Sequence, residues 1–402
     1  MRVLSVCWPY ALTNALATAL IGALAYGGWA IFAVLALSIL MGGAIDEVVG
    51  DQQQRLDHRC RLFCDINLYA TLPLLMIITY LLLYRIGAVT NAEIAAGSQS
   101  ETWSAHAPAP FISIVAVGYF YGLAGVTVAH ELTHRGSSAL ALLWARLLLA
   151  FTLNPTFETY HVHGHHRNIG TYRDPATARR GEYVLAFVVR TLISQSVEGW
   201  HLEADRLGRK GSGVWSWRNR VLSGIFCSTA LLLAAAMTAG TRGFVAVLIA
   251  AIWGRLLNEM VNYVQHYGIV RVEGAPIQMR HSWDSCRFLS NALQYNLPHH
   301  ADHHMFASKQ FWQLGSFAQT PKLPHGYHIM SFIAVHQPSW RKVINPLLAD
   351  WDRTLASDME RSLVRERGWT IEGRICEHAT ERRPTARCLS NQSSSETGVP
   401  PP

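Results

Sequence analysis

The chain has 402 residues, half of them hydrophobic and 15% charged, with 34 Lys and Arg against 27 Asp and Glu for a net charge of +7. A soluble globular domain carries about 25% charged residues, so this depletion points to a membrane protein whose basic residues sit in loops on one side. No basic–aromatic interleaving suggests nucleic acid as a partner, and the loops account for the charge without it.

A helix needs about 20 apolar residues to cross a hydrocarbon layer about 30 Å thick. In chain order six segments qualify: 6–25, 28–44, 66–85, 110–128, 221–238 and 243–261. The first follows one basic residue, Arg2, and runs almost straight into the second, which predicts a retained helical hairpin rather than a cleaved signal peptide. A shorter apolar run, 139–153, carries Arg146 and reads as a buried or re-entrant helix.

The loops set the orientation. The 86–109 connection has no Lys or Arg; the 45–65 connection has Arg55, Arg59 and Arg61, and 135–220 has many more. The positive-inside rule therefore places both termini, 45–65, 129–220 and everything after 262 in the cytoplasm. The expected fold is all-α and polytopic, with six transmembrane helices and a histidine-rich catalytic region on the cytoplasmic face. Residues 1–367 are expected to form the membrane-embedded domain, and the polar, Ser- and Pro-rich 368–402 a disordered tail. Seven scattered cysteines, with no C-x-x-C, build neither a zinc ribbon nor an iron–sulfur module, and read as free thiols in a reduced setting.

The histidines are not scattered. His130 and His134 are spaced i, i+4; "HVHGHH" supplies His161, His165 and His166; His266 closes "NYVQH"; "HHADHH" supplies His300, His303 and His304. Residues at i, i+3 and i+4 share a helix face. The first and last sets are thus each expected to converge on one point, as is His161 with His165. All four groups fall at one membrane–cytoplasm boundary. That is too many nitrogens for one tetrahedral zinc and suits two metals. His163 and His299 read as outer or incidental, and His281 is close to the site in sequence.

"HELTH" at 130–134 also matches the H-E-x-x-H helix of a zinc protease, with Glu131 as base. A protease needs one further ligand, and this chain supplies seven more histidines; Glu131 then reads as a partner for an imidazole N–H. A metal transporter would place polar residues along its spans, and these six are nearly free of charge. All-nitrogen ligation at the mouth of a lipid-facing bundle instead suits redox metals that activate O2 toward an apolar substrate. With no C-x-x-C in the chain, electrons would come from a separate protein.

Over roughly residues 5–350 the sequence resembles the integral-membrane di-iron alkane 1-monooxygenases and the related alkyl-aromatic side-chain hydroxylases. The resemblance is carried by "HELTH", by "HVHGHH" with the following "RDPATARRGE", by "NYVQHYG", "RHSW", "HADHH" and "LPHGY". It implies two iron ions held by His130, His134, His161, His165, His166, His266, His300, His303 and His304. It implies O2-dependent conversion of a terminal or benzylic methyl group, an n-alkane's first, to a primary alcohol. The implied donor is a rubredoxin or ferredoxin with its NAD(P)H-dependent reductase, and the implied location the bacterial inner membrane. Asp174 and Asp302 read either as orienting a ligand histidine or as capping their turns. Gln265, Asp284, Pro298, His299, Thr133 and Arg135 depart from the usual family pattern without removing a ligand. Membrane acyl desaturases also use three histidine runs, but usually with H-x-x-H-H where this chain has H-x-x-x-H-H.

Overall fold

The structure, a computed structural model, describes residues 7–51, 60–95 and 109–369. Apart from its first two residues the expected tail lies outside them. Among the described residues every regular element is helical, and extended pairing is limited to two isolated bridges, Asp51–Arg287 and Asp284–Lys322.

The apolar runs form helices because every backbone polar group must be satisfied within its own segment, and the third stays helical through Pro73. They are α1 (Leu12–Tyr26), α2 (Trp29–Gly42), α3 (Arg61–Ala95), α4 (Ala109–Phe120) continuing through a π turn into α5 (Thr127–Thr133), α6 (Ala139–Ala150), α7 (Val184–Arg209) and α8 (Arg220–His266). Four stretches are long and apolar enough to cross a membrane: Trp29–Val49, Arg61–Ala88, Pro110–Thr133 and Arg220–His266.

Helix α8 is two helices joined at Ala239–Gly240, where Gly240 has φ +62° and leaves the helical region. Ala235 and Val247 share a small buried cluster with Leu83, whereas in a straight helix 12 residues would separate them by about 18 Å. The chain therefore doubles back, matching the division of 221–238 from 243–261. Among the described residues the long apolar segments thus run between two ends. Gly27 lies against Arg85 and Gly87 against Ala239 at one end. Cys7, Cys60, Asp65, Arg135 and His266 gather toward the other. Large apolar side chains face outward along these helices: Trp29, Met76, Tyr80, Phe226 and Met237, the last 88% exposed.

Two contacts set the histidine segments side by side. A Cβ on Gly118 would stand 2.5 Å from the Ala250 carbonyl, and Gly122 packs back to back with Gly254, so α4–α5 and the second half of α8 touch at their backbones. One apolar core fills the space between α1 and α6 and includes Ala129 and Leu132. A second core, around Trp283, Trp340 and Trp351, includes Val264 and Tyr267. His130 is threaded into the first and His266 into the second. Two C-terminal helices, α10 (Gln337–Thr354) and α11 (Asp358–Glu366), follow α9 (His300–Met305).

One sequence expectation needs correction. Cys7 and Cys60 are not free thiols: α1 and α3 run parallel and their starts meet, bringing the two Cα atoms to 5.9 Å in a disulfide. Cys64, Cys227 and Cys286 are free; Cys376 and Cys388 lie outside the described residues. The last apolar run, read as nearly free of charge, carries one buried ion pair. Arg255 and Glu259 pair at 3.1 Å within it, closed by Gln195 of α7 and Asn262.

Candidate metal centre

The "HELTH" run is a regular turn at the end of α5, so His130 and His134 share a face as i, i+4 residues should. The second run does not follow that rule. His161–His165 is a π turn, whose i→i+5 bonding aligns residues five apart. His161 therefore meets His166, with their Nε2 atoms 3.1 Å apart, and His165 is turned elsewhere. The last run divides as well: in α9, His300 and His304 stay together at 3.0 Å while His303 points to His166 at 3.0 Å.

The nine imidazoles form two adjoining groups. His130, His134, His161, His166 and His303 make one, and His165, His266, His300 and His304 the other; within each group the candidate ligand atoms lie within 4.8 Å of one another. The His166 and His304 rings, one from each, are 4.4 Å apart. The expected convergence of His161 with His165, and of all three α9 histidines, is thus replaced by this partition.

The groups fit metal ions on chemical grounds. A neutral imidazole has one N–H and one lone pair, so His166 Nε2, facing both His161 Nε2 and His303 Nε2, cannot satisfy both contacts. His130 Nε2 and His165 Nε2 are buried without a partner. Burial first, then the neighbouring imidazoles, holds His161, His166, His300, His303 and His304 well below the ordinary histidine range, and His134 down to about 3. These rings are neutral, the form that ligates a cation.

Asp174 orients a ring and also shapes its turn. His165 Nδ1 donates to Asp174 Oδ2 at 2.9 Å, directing Nε2 into the cluster. Tyr160 and Thr177 hydroxyls donate to the same carboxylate at 2.6 Å each, and the Ala176 amide at 3.1 Å. Burial opposes its ionisation, but His165 and these donors outweigh it and hold Asp174 below the usual carboxylate range.

Glu131 and Asp302 touch no imidazole. Glu131 is paired with Arg135 at 3.2 Å, and Arg135 also grips Asp65 at 2.6 Å, tying α5 to α3. Neither a protease base nor a histidine partner fits that placement. Asp302 is fully buried, holding Lys309 at 2.8 Å and the Gly315 amide at 3.0 Å. His163 is exposed. His281 donates to Glu360 at 2.9 Å, pinning α11 rather than joining either group.

Sequence reasoning missed the supports of α9. Asp284 accepts from the Ala301 amide at 2.8 Å. Before α9, Tyr295 and Asn296 both have left-handed φ, 50° and 54°, a conformation costly for a tyrosine. Asn296 is fastened by Tyr10, which donates to its Oδ1 at 3.0 Å, and by its own bond to the Phe311 carbonyl.

The fold and the site define a class. The fatty acid desaturase family model matches residues 102–334, more than half of the chain, and the chain belongs to that family. It is an integral membrane protein with histidine clusters able to bind metal. Among named relatives, it is 35% identical over 238 residues to alkane 1-monooxygenase 1 of Pseudomonas aeruginosa, covering 58% of this chain and 62% of that protein. It is 31% identical to alkane 1-monooxygenase of Ectopseudomonas oleovorans, covering 63% and 65%. The chain thus spans less than two thirds of the length of these two. The xylene/toluene monooxygenase hydroxylase component XylM of Pseudomonas putida is 26% identical over 77% of this chain and 82% of its own.

Proposed function

We propose that this protein is a non-haem di-iron monooxygenase that converts a terminal or benzylic methyl group of an apolar substrate, an n-alkane first, to a primary alcohol. The observation that carries this reading is the pair of adjoining all-imidazole groups at one end of an apolar helix bundle. The activities for which the relatives are named support it. Metals bound there would supply O2 activation and C–H oxidation. The balance is one C–H bond, one O2, two electrons and two protons in, and one alcohol and one water out.

The chain's own groups do the rest. The nine histidines offer neutral nitrogen donors. Asp174 fixes the tautomer of His165, and Tyr160 and Thr177 hold Asp174 in register. Phe157 lies flat on His161, 4.7 Å between centroids, and keeps water from that side of the five-histidine group. An apolar substrate would arrive from the lipid along the bundle. The electrons come from a rubredoxin or ferredoxin served by an NAD(P)H-dependent reductase. We further read residues 1–367 as one domain in a bacterial inner membrane, crossing six times with both termini cytoplasmic.

The test is product analysis under 18-O-labelled oxygen, with membranes containing the protein, both donors, their reductases and a panel of alkanes, toluene, xylene and an acyl ester. A labelled primary or benzylic alcohol is expected. An unlabelled alkene would move the chain to desaturation, the reaction for which its family model is named.

A further inference from the structure

A cleft of about 500 Å³ opens between the loop after the second histidine run, the segment after His266, and α11. Two of its lining residues lead to the four-histidine group. Thr177, in the lining, donates to Asp174, which holds His165, and Gly268, also in the lining, stands two residues beyond His266. No histidine of either group lines the cleft itself, so the link to His165 and His266 runs through these lining residues.

The rim carries an unusual triplet. Tyr172, 54% exposed, is met by two guanidinium groups, Arg179 at 4.1 Å and Arg367 at 4.5 Å from its ring centre. Among the described residues neither arginine has a carboxylate partner, whereas their neighbour Arg180 is matched by Asp352 at 2.7 Å. The rim acids Glu273 and Asp358 are already engaged by Arg173 and Arg361, and Glu366 alone of the lining acids has no ion pair among the described residues. The surplus charge is positive. Tyrosine and arginine are the residue types that dominate protein–protein hot spots, and unmatched charges on a rim steer oppositely charged partners.

We propose that this cleft is the docking surface for an acidic one-electron carrier protein, which delivers electrons on the four-histidine side. The inference rests on the oxygenase reading, which requires two electrons per turnover and a separate donor. Each encounter oxidises the carrier by one electron, two encounters complete a turnover, and the two protons come from water. Trp369, the last described residue, lines the cleft, so residues 370–402 are the competing occupant.

The test measures binding, independent of turnover. The full chain in nanodiscs is titrated with a bacterial rubredoxin at low salt. Arg179→Glu and Arg367→Glu are each expected to raise Kd at least tenfold and to flatten its salt dependence, while Arg209→Glu, at the far end of α7, leaves Kd unchanged. Unchanged Kd in both reversals overturns the proposal. So does unchanged Kd accompanied by new protease sensitivity of residues 370–402, which would give the cleft to the tail. If a reversal also loses metal, Arg367→Gln decides, and native binding by a metal-replete Gln variant overturns the surface. Carrier binding through the cleft with no oxygenated product would retain the surface and sink the hydroxylase reading. Labelled alcohol from a chain whose carrier binding ignores the reversals would do the opposite.

Discussion

The two histidine groups touch but are held by different means. In the five-histidine group, orientation comes from packing: a regular helical turn, a π turn, and the Phe157 ring against His161. Among the described residues, none of its rings has a carboxylate partner. In the four-histidine group, His165 is fixed by an anion that three further donors fix in turn. The contrast teaches that one ligand ring, His165, can be set by charge while its neighbours with identical ligand atoms are set by packing. Substitutions should separate the two.

The largest effect is expected from the ligands. His134→Ala and His304→Ala should each lower bound iron from two to about one per chain, and cut turnover by more than the roughly 100-fold that outer partners cost. Two irons retained in either variant, by elemental analysis, would dissolve the partition into two groups. Next comes Asp174→Asn, with a loss of about 10- to 100-fold in metal affinity. Phe157→Leu on the other side should cost less than tenfold. Equal losses would erase the contrast between charge and packing.

Asp302→Asn tests the opposite claim. It should leave both metals bound but lower stability by about 1–3 kcal/mol, because Lys309 and the Gly315 amide lose a buried anion; thermal melting with metal analysis separates the two. A smaller effect is expected with pH. Burial opposes ionisation of Glu360, but His281, Arg280 and the Ser357 amide outweigh it and hold its pKa down to about 2. A lowered carboxylate pKa stabilises above the unfolded value and is lost as pH falls. Docking of α11 should therefore be constant above about pH 4.3, the free glutamate value, and weaken from there toward 2. Glu360→Gln should abolish that acid dependence in limited proteolysis. Smallest of all, His163→Ala should change metal content and turnover by less than about twofold, as a surface substitution does.

Much of this was legible in the chain. Apolar runs interrupted by basic loops marked the helices, and the spacing of nine histidines marked the site. Their sorting was not legible, because it depends on a π turn. A 3.6-residue period pairs His161 with His165, and the observed turn pairs it with His166. In α9 the i+3 and i+4 positions straddle two groups that only the tertiary fold sets side by side. Glu131 followed the same limit. Its motif suggested an imidazole partner, but Arg135, one turn on and anchored by Asp65, took the carboxylate. The Cys7–Cys60 bridge depends on a contact between helices that no local pattern records, whereas the Arg255–Glu259 pair, four residues apart on one helix, was open to a local reading.

The left-handed pair Tyr295–Asn296 bears on biosynthesis. The segment leading into α9 is fastened to the start of the chain, by Tyr10 to Asn296 across 286 positions and by Thr13 to the Leu293 carbonyl across 280. During synthesis Tyr10 and Thr13 emerge early, and these partners of theirs follow only when nearly three quarters of the chain has been made. The last three histidines cannot be seated before that closure. Metal loading is therefore expected to be a late, post-insertional event, and a ribosome stalled before residue 300 should expose a helix bundle that holds no iron.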